Sequence, residues 1–292
     1  MFQRLLIATD FSDALHRLVH FVPSLAAGGI RHITFLHSVP FWQSGTIPRI
    51  DEEKTALAQA ALKPALVSVP EGIEVQVVVE SGKAIDDILR ISKSHQVDLV
   101  MLGTPPRSSV SEQVFGSTAK ELFKRTTVPI MTMRPQLIAT YTSEELDLRC
   151  RHLFRELLLA YNGTETAKYM VEQVKHYASQ QTTPALTSCY LCWVISDAVR
   201  RSIPQEPKIK AAKEALATVQ AELEALNLKV HSEVRCGDPV IEVFKAAHLA
   251  DISAIAVSST DRNLLMEYSA PSLSVEILHQ SWYPTIYFPP KR

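Results

Sequence analysis

The sequence predicts an α/β protein made of two repeated, doubly wound parallel-sheet domains. Three observations predict it. Short apolar runs alternate with amphipathic helical stretches along the whole chain, the pattern of a parallel sheet covered on both faces. One apolar run, VDLVML (97–102), feeds a glycine-flanked loop and then a helix start. The first half of the pattern then recurs in the second, with Gly82 to Gly237 and Pro129 to Pro284 both separated by 155 residues.

Taken in order, QRLLIATD (3–10) is a buried strand ending at Asp10 and the turn FSD. ALHRLVHFVPSLA has helical spacing, with Leu15, Leu18, Val19 and Val22 on one side and Gly28-Gly29 closing it. HITFLHSV (32–39) is the second strand, a helical run starts at Asp51, and IEVQVVVESG (73–82) is the third strand. AIDDILRISKSH is an amphipathic helix, VDLVMLG the fourth strand, and TVPIMTMRP (127–135) a closing strand. The repeat then begins: FRELLLAYNGTETA (154–167) parallels FQRLLIATDFSDAL (2–15), and CYLCWVI (189–195) parallels TFLHSVP (34–40). Asp10 to Asn162 is 152, so three residues are inserted between the first two strands of the second half. The expected domains are 1–136 and 137–292, joined around QLIATYTSEELDLRC (136–150), where Thr142 and Glu145 suit a short capped helix.

The stretch LGTPPRSSVSEQVFGST (102–118) carries the candidate chemistry. Unpaired backbone N–H groups and the helix dipole favour an anion at the start of AKELFKR. Thr118 with Glu121 fits a capping box. Gly103 lets the chain leave its strand at an angle a β-carbon restricts, and Gly116 admits close backbone approach. In a doubly wound sheet, ligands bind beyond the carboxyl ends of the strands. There Ala8, Thr9 and Asp10, Val39, and the Leu102–Thr118 loop converge.

These residues resemble the universal stress protein family, whose fourth strand is followed by G-x2-G-x9-G-[ST]. Gly103 and Gly116 stand at the matching separation, followed by Ser117 and Thr118, while Pro106 replaces the second glycine. LLIATDFSDA resembles the family's first strand and turn, LHSV its second strand end. The layout is similar to tandem members across nearly all of both halves. The resemblance implies Rossmann-like, adenine-nucleotide hydrolase-like domains packed as an internal pseudo-dimer. It also implies ATP, with or without Mg²⁺, in the first domain only. Asp10 would lie near the ribose or adenine, with Ala8, Thr9, Val39 and Leu102 as walls, while Gly103, Gly116, Ser117 and Thr118 hold phosphates. Self-association through the closing strands, TVPIMTMRP and WYPTIYFPP, is implied as well.

The second copy departs at each of these points. Gly103 becomes Ser258, Pro106 becomes Asp261, Gly116 becomes Pro271, Thr118 becomes Leu273 and Asp10 becomes Asn162. Proline removes a donor, and a carboxylate repels phosphate. A degenerate site is expected there.

Composition narrows the rest. A net charge of −1 from 30 basic and 31 acidic residues gives no nucleic-acid footprint. No apolar run approaches the roughly 18 residues of a membrane span. MFQRLLIATDFSD meets polar residues too early for a secretory signal, so a cytoplasmic protein is expected. Cys189 and Cys192, three apart in a strand, face opposite sides and are read as buried structural thiols. Gly82-Lys83 is no phosphate loop, because Val77 and Ala84 stand where glycine and Ser/Thr are needed. Arg107, Ser108, Ser109 and Ser111 read as solvated loop; His16 and His20, four apart, read as surface or satisfied histidines. No catalytic constellation can be assembled. The expected function is adenine-nucleotide binding in stress response or regulation, the alternative a non-nucleotide interaction and dimerisation scaffold.

Overall fold

The structure, a computed structural model, describes residues 1–42, 49–104, 116–181, 185–196, 206–259 and 272–291. The chain divides into two compact units, Phe2–Arg151 and His152–Arg292, the latter joined by Met1.

In the first unit the strands are β1 (Arg4–Ala8), β2 (His32–Val39), β3 (Glu74–Ser81), β4 (Leu99–Gly103) and β5 (Ile130–Met133). They run parallel in the order β3-β2-β1-β4-β5. The apolar runs predicted as buried are buried: Leu5, Leu6 and Ile7 on β1, Phe35 on β2, Leu99 and Met101 on β4. The helices are α1 (Val22–Ala27), α2 (Glu52–Leu62), α3 (Ala84–Ser94) and α4 (Ser117–Arg125). Asp51 caps α2 by accepting the Lys54 N–H at 3.0 Å. The single helix expected over 14–26 is split. A 3-10 turn covers Leu15–His20, and α1 starts anew with Pro23 in its first turn, where a missing N–H costs nothing. His16 and His20 therefore do not share a face, because a 3-10 turn repeats every three residues.

The segment after β5 packs on this same unit as α5 (Pro135–Thr140) and α6 (Ser143–Arg151). Arg17 donates to the carbonyls of Ile138 and Tyr141, and the Ser24 hydroxyl to Asp147. The expected box at the α6 start is present. The Thr142 N–H donates to Glu145 at 2.7 Å, and the Glu145 N–H to the Thr142 hydroxyl at 3.3 Å.

The second unit repeats the plan with β6 (Glu156–Ala160), α7 (Glu165–Ser179), β7 (Ser188–Ser196), α8 (Glu206–Glu224) and β8 (Lys229–Gly237). It continues with α9 (Pro239–Leu249), β9 (Ala254–Ser258), α10 (Leu273–Gln280) and β10 (Thr285–Phe288), in the parallel order β8-β7-β6-β9-β10. Strand register corrects the repeat alignment by one residue. Ala8 lies opposite Leu36 and Ala160 opposite Cys192, so the second strands match at an offset of 156. A one-residue slip exchanges the faces of a strand, and apolar residues on both faces of β7 hid it from the sequence. Cys189 and Cys192 are buried as expected, and burial pushes both thiols up to about 12.

Candidate functional site

The order of strands reverses between β1 and β4, the place where a doubly wound sheet opens a crevice at its carboxyl edge. Ala8 and Leu102 are register partners across that switch. Beyond Ala8 the chain turns through Thr9–Leu15, and three side-chain oxygens hold the turn. Thr9 Oγ1 accepts the Phe11 N–H at 3.0 Å, Asp10 Oδ1 the Ser12 N–H at 2.8 Å, and Asp13 Oδ1 the Leu15 N–H at 3.0 Å. These bonds keep Phe11 at φ 67° and Ala14 at φ 57°, left-handed conformations that side chains rarely adopt.

Asp13 is the residue that sequence reasoning missed. Its buried carboxylate also accepts the Thr9 hydroxyl at 2.6 Å. Burial pushes its carboxyl upward from the ordinary value, against the hydrogen bonds from Thr9 and Leu15 that lower it. Asp13 also explains Gly103. A β-carbon there would lie 2.2 Å from Asp13 Cβ, while the backbone of Gly103 stays outside the left-handed region. The glycine serves close approach rather than the strand exit angle expected. A signal was present in the sequence: an acid four residues after Thr9 on the same turn.

The remaining predicted residues fall as follows. Thr9, Val39 and Leu102 are buried and Asp10 is exposed. Thr9 donates its N–H to Leu36 at 3.0 Å, and Val39 offers its carbonyl to Gly82 at 2.9 Å. His37, beside them on β2, contacts the Thr9 carbonyl through Nδ1 at 2.8 Å and packs on the Phe11 ring at 4.4 Å. A carbonyl only accepts, so Nδ1 carries the proton. Ala8, Thr9, Leu102 and Gly103 are thus brought together, with Asp13 between the two strand ends. Gly116, Ser117 and Thr118 open α4, the helix that returns from β4.

The expected capping box on α4 does not form. Gly116 is the N-cap, extended at φ −64° and ψ 166° with no side chain to bond, so Thr118 already lies inside the helix. Glu121 pairs with Lys124 at 3.3 Å instead. The first ladder bond is from Lys120 N–H to Gly116 O, which leaves the N–H groups of Gly116, Ser117, Thr118 and Ala119 ahead of the ladder. A β-carbon on Gly116 would meet nothing within 4 Å. Pro106, Arg107, Ser108, Ser109 and Ser111 lie outside the described residues, as do Asp261 and Pro271 of the second copy. Among the described residues no group of three or more His, Cys, Asp or Glu is placed to hold a metal, and no helix is long and apolar enough to cross a membrane.

At the corresponding edge of the second unit the same backbone carries different side chains. Tyr161 donates its N–H to Cys192 at 3.0 Å, as Thr9 does to Leu36. Trp193, the register equivalent of His37, lies against Gly163, where an added β-carbon would meet the indole at 2.6 Å. Trp193 also meets Tyr161 edge-on at 5.6 Å. Asn162 Oδ1 accepts from the N–H and hydroxyl of Thr164, as Asp10 Oδ1 does from those of Ser12, but its second polar atom is an amide nitrogen in place of a carboxylate oxygen. The α10 start is capped by its own Ser272, which accepts the Val275 N–H at 3.4 Å.

The model of the universal stress protein family matches residues 1–134 and again 153–289. A universal stress protein of Synechocystis, Slr1230, is 24% identical over 131 residues, 45% of this chain and 42% of that protein. The chain therefore spans less than half the length of this relative. A universal stress protein from Archaeoglobus fulgidus superposes with a TM-score of 0.65 at 17% identity, covering 97% of each chain. A functionally unknown protein from Pseudomonas aeruginosa gives 0.59 at 13% identity, covering 98% of this chain and 92% of its own. Likeness at such identities establishes the shared fold.

Proposed function

This chain belongs to the universal stress protein family, and on that premise we propose that it binds ATP or a related adenine nucleotide in its first unit only. Its role is in stress response or regulation rather than catalysis. The observation that carries the proposal is the divergence of the two units at equivalent strand ends. In the first, Asp13 sits against Gly103, His37 stands over the turn, and α4 begins with four N–H groups, that of Gly116 first, and no side-chain cap. In the second, Trp193 covers the turn glycine and Ser272 caps the helix. An uncapped helix start at a topological switch suits phosphate, which bonds the free N–H groups and meets the positive end of the dipole. The residues fit the group: Gly116 leaves open space, and Ser117 and Thr118 add hydroxyls beside the free amides. The Asp10 carboxylate is exposed at the turn; its Oδ1 accepts from the N–H and hydroxyl of Ser12, and its Oδ2 is left to accept from a sugar or base.

Native mass spectrometry of chain purified without added nucleotide tests this reading. An adenine nucleotide at one copy per chain is expected. A chain that carries none and acquires none from millimolar ATP would refute it and leave the interaction scaffold.

A further inference from the structure

Both units have a hollow at the opposite edge of the sheet, by the amino ends of the strands, and the two hollows are built from equivalent positions. In the first unit its volume is about 230 Å³, and its own side chains satisfy one another. Arg4, His32 and Glu74 form one row across β1, β2 and β3. His32 pairs with Glu74 at 2.8 Å, and Arg4 donates to the His95 carbonyl at 2.7 Å. The His95 ring closes the hollow by bonding Thr34 at 3.1 Å.

In the second unit the hollow measures about 460 Å³, because the position of His95 is held by Ala250. The row becomes Glu156, Ser188 and Lys229 on β6, β7 and β8. Glu156 and Lys229 stand two strands apart, about 9–10 Å between backbones, so they do not neutralise each other directly. Lys229 is exposed and makes no ion pair among the described residues, while Glu156 has only the loose neighbour Arg155 at 3.9 Å. Two residues further along, on the same face, Tyr190 and His231 take the places of Thr34 and Gln76. Their rings lie 4.7 Å apart at 40°. Leu249, exposed at the end of α9, and buried Ile252 complete an apolar wall.

We infer that this hollow is a binding site for a small aromatic zwitterion, of the aromatic amino-acid class. The aromatic pair and the apolar wall take the ring. The acid and the base, separated across one row with the Ser188 hydroxyl between them, take the ammonium and carboxylate. The volume lies within the range of small-molecule sites. The unit that has lost the crevice at one edge of its sheet has opened a second one at the other.

Titration calorimetry of the full chain with L-tryptophan tests the assignment, with indole and L-leucine as partial probes. One saturable site per chain is expected for L-tryptophan, with each partial probe weaker by about tenfold or more. Ala250→His, which installs the first unit's own plug, should abolish binding at an unchanged melting temperature. Lys229→Glu, an exposed change, should weaken L-tryptophan by about tenfold and leave indole unaffected. No saturable binding of L-tryptophan to the wild type, equal affinity for L-leucine, or undiminished binding to both variants would overturn it.

Discussion

Asp13 and Gly103 occupy one another's space, and each constrains what the other can be. Because the clash would be with Asp13 Cβ at 2.2 Å, and not with a flexible side-chain end, Gly103→Ala must move backbone. A cost of about 1–3 kcal/mol is expected from such overpacking. Asp13→Ala should not rescue it, because the β-carbon stays. Chemical denaturation of the two single variants and the double variant checks this. Asp98 supplies a pH dependence of its own. It is half-buried at the foot of β1, accepts the N–H groups of Gln3 and Arg4 at 2.8 and 3.0 Å, and is pushed up by desolvation to about 6. With its folded value raised above the ordinary 3.8, the native state holds the proton more tightly than the unfolded chain. The group's contribution is therefore greatest at low pH and is lost as pH rises through about 6. Stability should grow by about 1.4 kcal/mol as pH falls from about 7 to about 5, roughly half of the about 3 kcal/mol that a shift of about two units carries, the rest coming as pH falls on towards 3.8. Asp98→Asn should flatten that slope in thermal melts taken across the window.

Among the elements, α4 and α10 are the informative pair. They follow equivalent strands, yet one starts at an uncapped glycine and the other at a serine that bonds its own helix. Gly116→Pro tests what the free start does. Gly116 already has φ −64°, which proline adopts without strain, and its carbonyl still accepts from Lys120. The melting temperature should hold. Losing an N–H to a charged phosphate costs roughly 1.5–3 kcal/mol, about ten- to a hundredfold in ATP affinity. A competition assay that found equal affinity would remove α4 from the site. How far these elements were legible in the sequence follows from what fixes each of them. The strands and most helices were, because hydrophobic period and glycine or proline punctuation act locally. The start of α4 was misread because Thr118 and Glu121 satisfy a local rule that the glycine before Ser117 pre-empts. Asp13 and Trp193 were not seen as site residues. Their importance lies in contacts with Gly103 and Gly163, and in a register only the paired strands define.

At the scale of the molecule, one fold appears twice and carries different side chains at the same sheet edge each time. Two units with the same strand order and the same switch point expose the same backbone positions at their carboxyl edges. What separates them is a short set of substitutions, His37 against Trp193, Asp10 against Asn162 and Gly116 against Pro271, together with a serine that caps α10 as Ser272 but lies inside α4 as Ser117. The central claim is that these confine nucleotide to the first unit. The stoichiometry of ATP binding to the full chain by titration calorimetry tests it most directly. One site per chain is expected in the wild type, with Gly116→Pro cutting its affinity about ten- to a hundredfold. Two equivalent sites per chain, or one site that keeps its affinity in Gly116→Pro, would contradict it.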